Sequence, residues 1–504
     1  GRGGIDVQLT RSLAGNQVAL RDWMSQYPYV CLEQRASVAI TLDSEDKWNK
    51  VMNSLPLHLD RDGLARYFPM DWLQGDDTLT SYLLRIADEA EYTIPEAPRE
   101  RMLKGLEDFV AGRIHRYGSL QTADLTMRKL AAIDALSRYE RARPAMLESL
   151  EISPNLWPSS GVIDWVSVLQ RIKEIPERDE KLKQARQILN SRLTFSGTTM
   201  SFSTEKQDYL WWLMVSPDLN AVRALRLLAE DPDMQSADVG RLARGALARQ
   251  VNGHWSTTVA NAWGATALRY FQAHFENTSV TGATEVKLGS QTESLPWTEA
   301  KVSTHKDPTK GTPMGAGLAT RFPWPKTATP LSIQHTGAGK PWAFVTSKAA
   351  LPLDKPLFAG YKIKRTMTAV EQKTAGQWQR GDTYRVQLEI DAQTDMTWVV
   401  VNDPIPSGAT ILGSGLGGDS SQLSAGEKQK GWQRPAFEER AFDGFRAYYS
   451  YVPKGKFSIE YTVRLNNAGQ FAMPASRVEA MYAPEIFAEL PVPNMEIKAE
   501  TKAQ

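Results

Sequence analysis

Tyr27-Pro28-Tyr29-Val30-Cys31-Leu32-Glu33-Gln34 holds the only cysteine in a chain of 504 residues. A sole cysteine cannot close an intrachain disulfide, which leaves three roles: a buried packing residue, a lone reactive thiol, or half of an unusual covalent bond. The third role has a partner in reach. If the chain turns helical just after Tyr-Pro-Tyr, Cys31 and Gln34 stand at i and i+3 on one face, where side chains meet. The thiolate is the nucleophilic form of cysteine, and the glutamine carboxamide is an acyl group that can lose ammonia to it. The product of that pairing is an internal thioester.

The length exceeds what one core normally serves and predicts two or three domains. Composition is that of a soluble globular protein, 42% hydrophobic and 23% charged, with no apolar run long enough to span a bilayer. Lys+Arg 59 against Asp+Glu 58 leaves a formal charge of +1. That balance gives no electrostatic case for nucleic acid or an anionic membrane surface. The start, Gly1-Arg2-Gly3-Gly4, has neither a signal peptide nor an initiating methionine and reads as part of a longer polypeptide.

Ile5, Val7 and Leu9 alternate as in one short strand, which must complete a sheet formed elsewhere. From Gln17 to about Phe275 the pattern is helical throughout. Leu79, Tyr82, Leu83, Ile86, Ala87 and Ala90 mark a helix with one buried and one solvated face, with Asp76 and Asp77 placed to cap it. Helical segments follow at 102–117, 122–139, 162–175, 179–193, 206–215, 219–230, 236–250 and 257–274. Their short connections predict repeated helical hairpins. Asp62-Gly63 before Tyr67-Phe68 and Trp72, and Asn252-Gly253-His254-Trp255, look like the Gly-aromatic turns of an α/α toroid, or else ordinary turns with core aromatics.

Residues 277–354 lose this period and are rich in Gly, Pro, Thr and Ser, with candidate strands at Glu285–Leu288, Leu331–Gln334 and Trp342–Val345. They read as a small β region into which the toroid is inserted. Beyond lie half-buried strands of an antiparallel sandwich: Tyr361, Ile363, Met367 and Ala369 on one side of the first, then Tyr384–Ile390 and Phe457–Leu465 in alternation. The chain therefore divides into 1–16 (first strand of the small β domain), 17–276 (toroid), 277–354 (rest of the β domain) and 355–504 (sandwich).

Tyr-Pro-Tyr-x-Cys-Leu-Glu-Gln closely resembles the thioester motif of bacterial α2-macroglobulins. Asp403-Pro404-Ile405-Pro406-Ser407-Gly408, Asn467-Ala468-Gly469-Gln470-Phe471 and Val478-Glu479-Ala480-Met481-Tyr482-Ala483-Pro484 resemble stretches recurrent in macroglobulin C-terminal domains, in the same order. The resemblance implies a toroid thioester domain within a CUB-like β domain, then the last macroglobulin domain. It also implies a suicide-type protease inhibitor rather than an enzyme: after cleavage of a bait region outside this chain, a protease lysine attacks the Gln34 carbonyl and Cys31 leaves as thiolate. A thioester survives only where water is excluded. Tyr27 and Tyr29 are one expected half of its shield. Met481 and Tyr482, matching positions in the last domain, are the other, or else core residues of the final strand.

Of six histidines, His58, His115, His254 and His274 fall in the helical domain. None matches the histidine by which some complement relatives form an acyl-imidazole, so direct aminolysis by lysine is expected. The resemblance further implies a periplasmic, inner-membrane-associated monomer, lipid-anchored through an N-terminus outside this chain. Its implied partners are target proteases and a peptidoglycan synthase, with no nucleic acid, cofactor or metal.

Two alternatives remain in the sequence. Toroids also house glycosidases and terpene cyclases, for which Asp60-Arg61-Asp62 and Asp76-Asp77 are the nearest carboxylates. A cysteine protease needs a histidine that nothing in the sequence places. An inert envelope scaffold with a free cysteine is the second alternative, which the retained Cys31 and Gln34 oppose.

Overall fold

The structure, a computed structural model, describes residues 2–13, 17–116, 124–276, 279–297, 318–413, 427 and 434–499. The expected helix ends at Tyr117 and Thr122 and the expected boundaries at 16 and 277 lie outside the described residues. Two compact units divide near Leu351/Pro352.

The described helices of the first unit are α1 (Val18–Ser25), α2 (Leu32–Thr41), α3 (Glu45–His58), α4 (Asp77–Glu89), α5 (Glu96–Val110), α6 (Leu125–Ser137), α7 (Ser159–Arg171), α8 (Arg178–Ser191), α9 (Pro217–Leu228), α10 (Ser236–Ala248) and α11 (Thr258–Phe275). Helices α2, α4, α6, α7, α9 and α11 pack each on the next, and α11 returns onto α2 to close a ring. Helices α3, α5, α8 and α10 cover it from outside. This is an α/α toroid.

Position in the ring decides how much of each helix is hidden. Outer α8 buries only Leu182, Ala185 and Leu189, a narrow amphipathic stripe. Inner α4 buries every residue from Leu79 to Ala87. The solvated face expected from its periodicity is absent because both sides of an inner helix are covered, and its polar side chains find partners inside. Thr80 Oγ1 accepts the Ala65 N–H at 2.8 Å, and Arg85 donates to Asp164 at 3.0 Å. Asp76 caps the helix, its carboxylate accepting the Leu79 N–H at 2.7 Å.

The inner helices also share an ion network. The fully buried Asp134 on α6 lies 3.6 Å from Arg85, 3.6 Å from Arg138, 3.8 Å from Arg171 and 3.8 Å from Arg223. Arg223 also pairs with Asp164 at 2.7 Å, and Arg138 with Glu89 at 2.7 Å.

Two stretches depart from the expected helices. Residues 206–215 form only a short 3-10 turn, Trp211–Leu213, because Met214 enters the left-handed region at φ 58°. Residues 193–202 form a hairpin, β2 (Leu193–Ser196) with β3 (Thr199–Phe202), where Gly197 supplies a φ of 60° at the turn.

The first strand, β1 (Arg2–Thr10), pairs antiparallel with strands that follow the helices: β6 (Leu318–Phe322) and β8 (Trp342–Ala350). A second sheet has the order β5 (Gln291–Trp297), β4 (Gly282–Leu288), β7 (Leu331–Thr336). Val7, Leu9, Val286, Leu288, Trp297 and Phe322 form the core between chain segments that enclose the toroid in sequence.

The second unit is an antiparallel sandwich. Strands Tyr361–Glu371, Thr383–Ala392, Gly455–Arg464 and Thr410–Ile411 form one sheet in that order, and a six-stranded sheet is centred on Met396–Pro404. Tyr384, Val386, Leu388 and Ile390 are buried against Ile459, Tyr461 and Val463. In the edge strand Tyr361 and Ile363 are buried, whereas Met367 and Ala369, expected on the same inward face, are exposed. Strand Met396–Pro404 has a left-handed residue at Trp398 (φ 49°), which is skipped in the pairing with Gly444–Val452 while the register on either side of it is unchanged. In the Asp403–Gly408 turn, the buried Asp403 carboxylate is gripped by Arg365 at 3.0 and 3.1 Å and by the Tyr461 hydroxyl.

Candidate functional site

The chain becomes helical one residue after Cys31. Cys31 is the N-cap of α2, with φ −64° and ψ 166°, and Gln34 is the third helical residue. The two form a capping box: the Cys31 side chain faces the Gln34 N–H, and the Gln34 carboxamide oxygen accepts the Cys31 N–H at 3.1 Å. Serine or threonine normally holds the first position of this motif and Glu or Gln the last. Here ordinary helix-start geometry folds a thiol and a carboxamide toward each other. Both residues are fully buried. The capping box thus places a thiol beside a carboxamide.

Burial, and then the charge of Glu33, push the Cys31 thiol well above its ordinary range, against the backbone N–H groups of Gln34 and Glu33 and the charge of Arg35. This pocket therefore opposes a free thiolate at Cys31.

Tyr27 and Tyr29 meet edge to face with ring centroids 5.4 Å apart. Tyr29 is buried and Tyr27 half-buried, and the Tyr27 hydroxyl accepts the Gln34 amide N–H at 3.3 Å. The Tyr67 carbonyl accepts the Leu32 N–H at 2.9 Å, tying the start of α2 to the turn after Gly63. Of that turn's aromatics, Tyr67 and Phe68 are buried, whereas Trp72 is 70% exposed. Met481 and Tyr482 belong to the other unit. They are buried and lie on the turn after strand Ser476–Ala480 rather than inside the final strand. The Met481 N–H bonds the Trp398 carbonyl at 2.9 Å, so the left-handed kink at Trp398 meets the start of that turn.

Sequence reasoning passed over Glu33. Its carboxylate is fully buried and accepts the Ser37 hydroxyl at 2.5 Å and the Thr258 hydroxyl at 2.9 and 3.1 Å, and Ser37 lies 2.6 Å from the Tyr82 hydroxyl. Helices α2, α4 and α11 are thus joined one residue from Gln34. The available signal was Glu33 and Ser37 at i and i+4 beside a cap. Glu33→Ala strands these hydroxyls in a dry site and is expected to lower stability by about 2–4 kcal/mol, read from the urea midpoint.

The carboxylates weighed for toroid enzymes hold the fold together. Asp60 accepts the N–H groups of Asp62, Leu64 and Gly75 and pairs with Arg116, which also takes Asp62. Asp77 pairs with Arg128. His58 is buried with Nδ1 3.0 Å from the Arg66 carbonyl, its pKa lowered to about 4 chiefly by burial. His115 is exposed, His274 stacks on Tyr270, and His254 stacks on Trp23.

Residues 360–485 match the family described as Bacterial Alpha-2-macroglobulin MG10 domain. This stretch is similar to the last macroglobulin domain of bacterial alpha-2-macroglobulins. A curated relative, the alpha-2-macroglobulin homolog of Nostoc sp., is 23% identical over 434 residues, 82% of this chain. The chain spans only 22% of that relative's length. Among solved structures, native Escherichia coli alpha-2-macroglobulin from domain MG7 to the C-terminus superposes with TM-score 0.70 at 16% identity, covering 98% of this chain and 78% of that one. The methylamine-reacted Salmonella protein gives TM-score 0.67 at 17% identity, covering 98% of this chain and 32% of that one. These likenesses establish the macroglobulin fold for both units.

Proposed function

We propose that this chain is the thioester-bearing C-terminal part of a protease-trapping macroglobulin. The observation that carries the reading is the capping box that folds the Cys31 thiol and Gln34 carboxamide together in a buried site. Bond formation joins the Cys31 sulfur to the Gln34 carbonyl carbon. The thiol proton leaves with the amide nitrogen as ammonia. When the site opens, a lysine amine of a trapped protease attacks the same carbon. An amide forms, the sulfur–carbon bond breaks, and the amine's proton ends on Cys31. Opening to water reverses the burial that opposes a thiolate, so sulfur becomes a better leaving group as the carbonyl becomes accessible. The reaction runs once per molecule.

Tyr27 and Tyr29 shield the bond from within the toroid, and Met481 and Tyr482 are proposed as the second part of the shield. That the Salmonella relative was crystallised after reaction with methylamine supports an amine-reactive group. In this reading the whole protein is periplasmic and anchored to the inner membrane, which fractionation of cells producing the full-length protein tests.

The purified chain is expected to weigh one ammonia less than its sequence. Methylamine is expected to add to Gln34 while exposing one titratable thiol. A chain of full sequence mass, whose Cys31 reacts with a thiol reagent before any amine treatment, is the contrary result.

A further inference from the structure

The shield residue Tyr27 does not stand alone. Its ring meets Trp23 with centroids 5.1 Å apart at 58°, and Trp23 in turn lies flat on His254, 4.0 Å away with the planes 9° from parallel. His254 belongs to the turn before α11, where its Nδ1 is 2.8 Å from the Trp255 carbonyl. A hydrogen bond there fixes the plane of the imidazole. The same turn grips α1 a second time. Gly253, at φ +83°, comes so close that an added Cβ would lie 2.4 Å from the Ala19 Cβ. Asn252, beside it, is also left-handed, at φ 56°. The backbone is bent to bring glycine against α1 and the imidazole against Trp23.

Three aromatic rings therefore connect the start of α11 with Gln34: His254, Trp23 and Tyr27, whose hydroxyl meets the Gln34 amide nitrogen. That nitrogen is the group that leaves as ammonia when the bond forms, which leaves the ring itself as the cover. Tyr27 lies between α1 and α2, outside both helices, and its ring is braced by Trp23 on α1 as well as by Tyr29 beside the motif. From this geometry we propose that Trp23 and His254 are positioning residues for the Cys31–Gln34 site: their stack holds Tyr27 in place and so sets how slowly amines and water reach the Gln34 carbonyl. The proposal rests on the thioester reading. It makes the turn at 252–254 a second control point on reactivity, separate from the C-terminal unit. A shift of that turn relative to α1 slides His254 off Trp23 and frees Tyr27 without altering Cys31, Gln34 or their capping box.

The test follows methylamine-driven thiol release in the purified chain and in variants at these rings, each first weighed intact for loss of ammonia. One aromatic contact of this kind, lost from the closed state, corresponds to roughly a three- to tenfold faster release. Trp23→Ala and His254→Ala are expected to show it, and Trp23→Phe, which restores a ring, to return the rate to within about twofold. Combining Trp23→Ala with Tyr27→Ala is expected to add less than about twofold to Tyr27→Ala alone, because the first residue acts through the second. A loss of folding shared by the alanine variants is separated from this by Trp23→Phe and by that non-additivity.

Wild-type chain with the bond intact, and Trp23→Ala releasing thiol at the wild-type rate, overturns the proposal and leaves the thioester reading standing. Effects of Trp23→Ala and Tyr27→Ala that multiply independently also overturn it. Wild-type chain without the ammonia loss overturns both.

Discussion

Cys31→Ser is expected to keep the chain folded and to abolish the proposed reaction with amines. Serine is among the preferred N-cap residues, and with Gln34 three positions on it restores the usual capping box. As far as α2 is concerned, serine is at least as good as cysteine. The variant is therefore expected to unfold within about 1 kcal/mol of wild type. A serine hydroxyl is not ionised near neutral pH and does not displace ammonia from the Gln34 carboxamide. The variant should have its full sequence mass and take up no methylamine. Stability and reactivity are expected to separate at this one atom, which is what distinguishes a functional sulfur from a packing one. A serine variant that still gains methylamine would place the reactive group elsewhere. One destabilised by more than about 2 kcal/mol would make Cys31 a core residue whose chemistry is incidental.

Asp134→Ala is expected to have the largest effect on stability. Asp134 has no exposure, and four arginines of the ring, Arg85, Arg138, Arg171 and Arg223, lie within 3.6 to 3.8 Å of it. Removing one member of a buried ion network leaves charge without compensation, at a cost of about 3–5 kcal/mol. Thermal unfolding of the helical domain should then fall by roughly 10 °C. The pH dependence has a definite sign. Burial raises the Asp134 pKa, but the arginines outweigh it, Arg138 first and then Arg85, and the net shift is downward. A carboxylate whose pKa is depressed by folding adds stability that is complete above its unfolded value of about 4 and is lost as pH falls toward the folded one. Wild type is therefore expected to lose stability steeply below about pH 4. Asp134→Ala should lose less over that interval, and identical acid profiles would show that the network does not carry this stabilisation.

The fold class was legible because its determinants are local. Nine tightly spaced helical segments, Gly-aromatic turns and period-two strands at Tyr384–Ile390 and Phe457–Leu465 each announce themselves within a few residues. What escaped depends on neighbours distant in sequence. Leu79–Ala87 carries the pattern of an amphipathic helix, and only its place in the ring buries it on both sides. Met367 and Ala369 continue the alternation of Tyr361 and Ile363, yet the edge strand is covered over only part of its length. The Leu193–Phe202 hairpin was overlooked because its Thr-Phe-Ser and Thr-Met-Ser runs are short and sit among helices.

At the site, the spacing of Cys31 and Gln34 was readable, while their capping-box geometry was not. Helical spacing predicts neighbours on one face, but only the structure shows that the helix starts between them. Glu33 and His254 were invisible as site residues for the same reason. One depends on Thr258 and Tyr82 for its meaning, and the other on Trp23.

The hydrogen bond from Thr258 to Glu33 joins residues 225 positions apart and marks where the last helix of the ring meets the first. During synthesis α2 emerges before the other inner helices of the ring, and α11 is the last of them to follow. Until then α2 lacks a neighbour, Glu33 lacks one of its donors, and Cys31 is an accessible thiol. The dry pocket around Cys31 and Gln34 comes into being only when the ring shuts, so in the proposed thioester reading the bond would record that the chain between its ends has been folded in full. Its presence in a purified sample is then a measure of correct assembly as well as of latent reactivity.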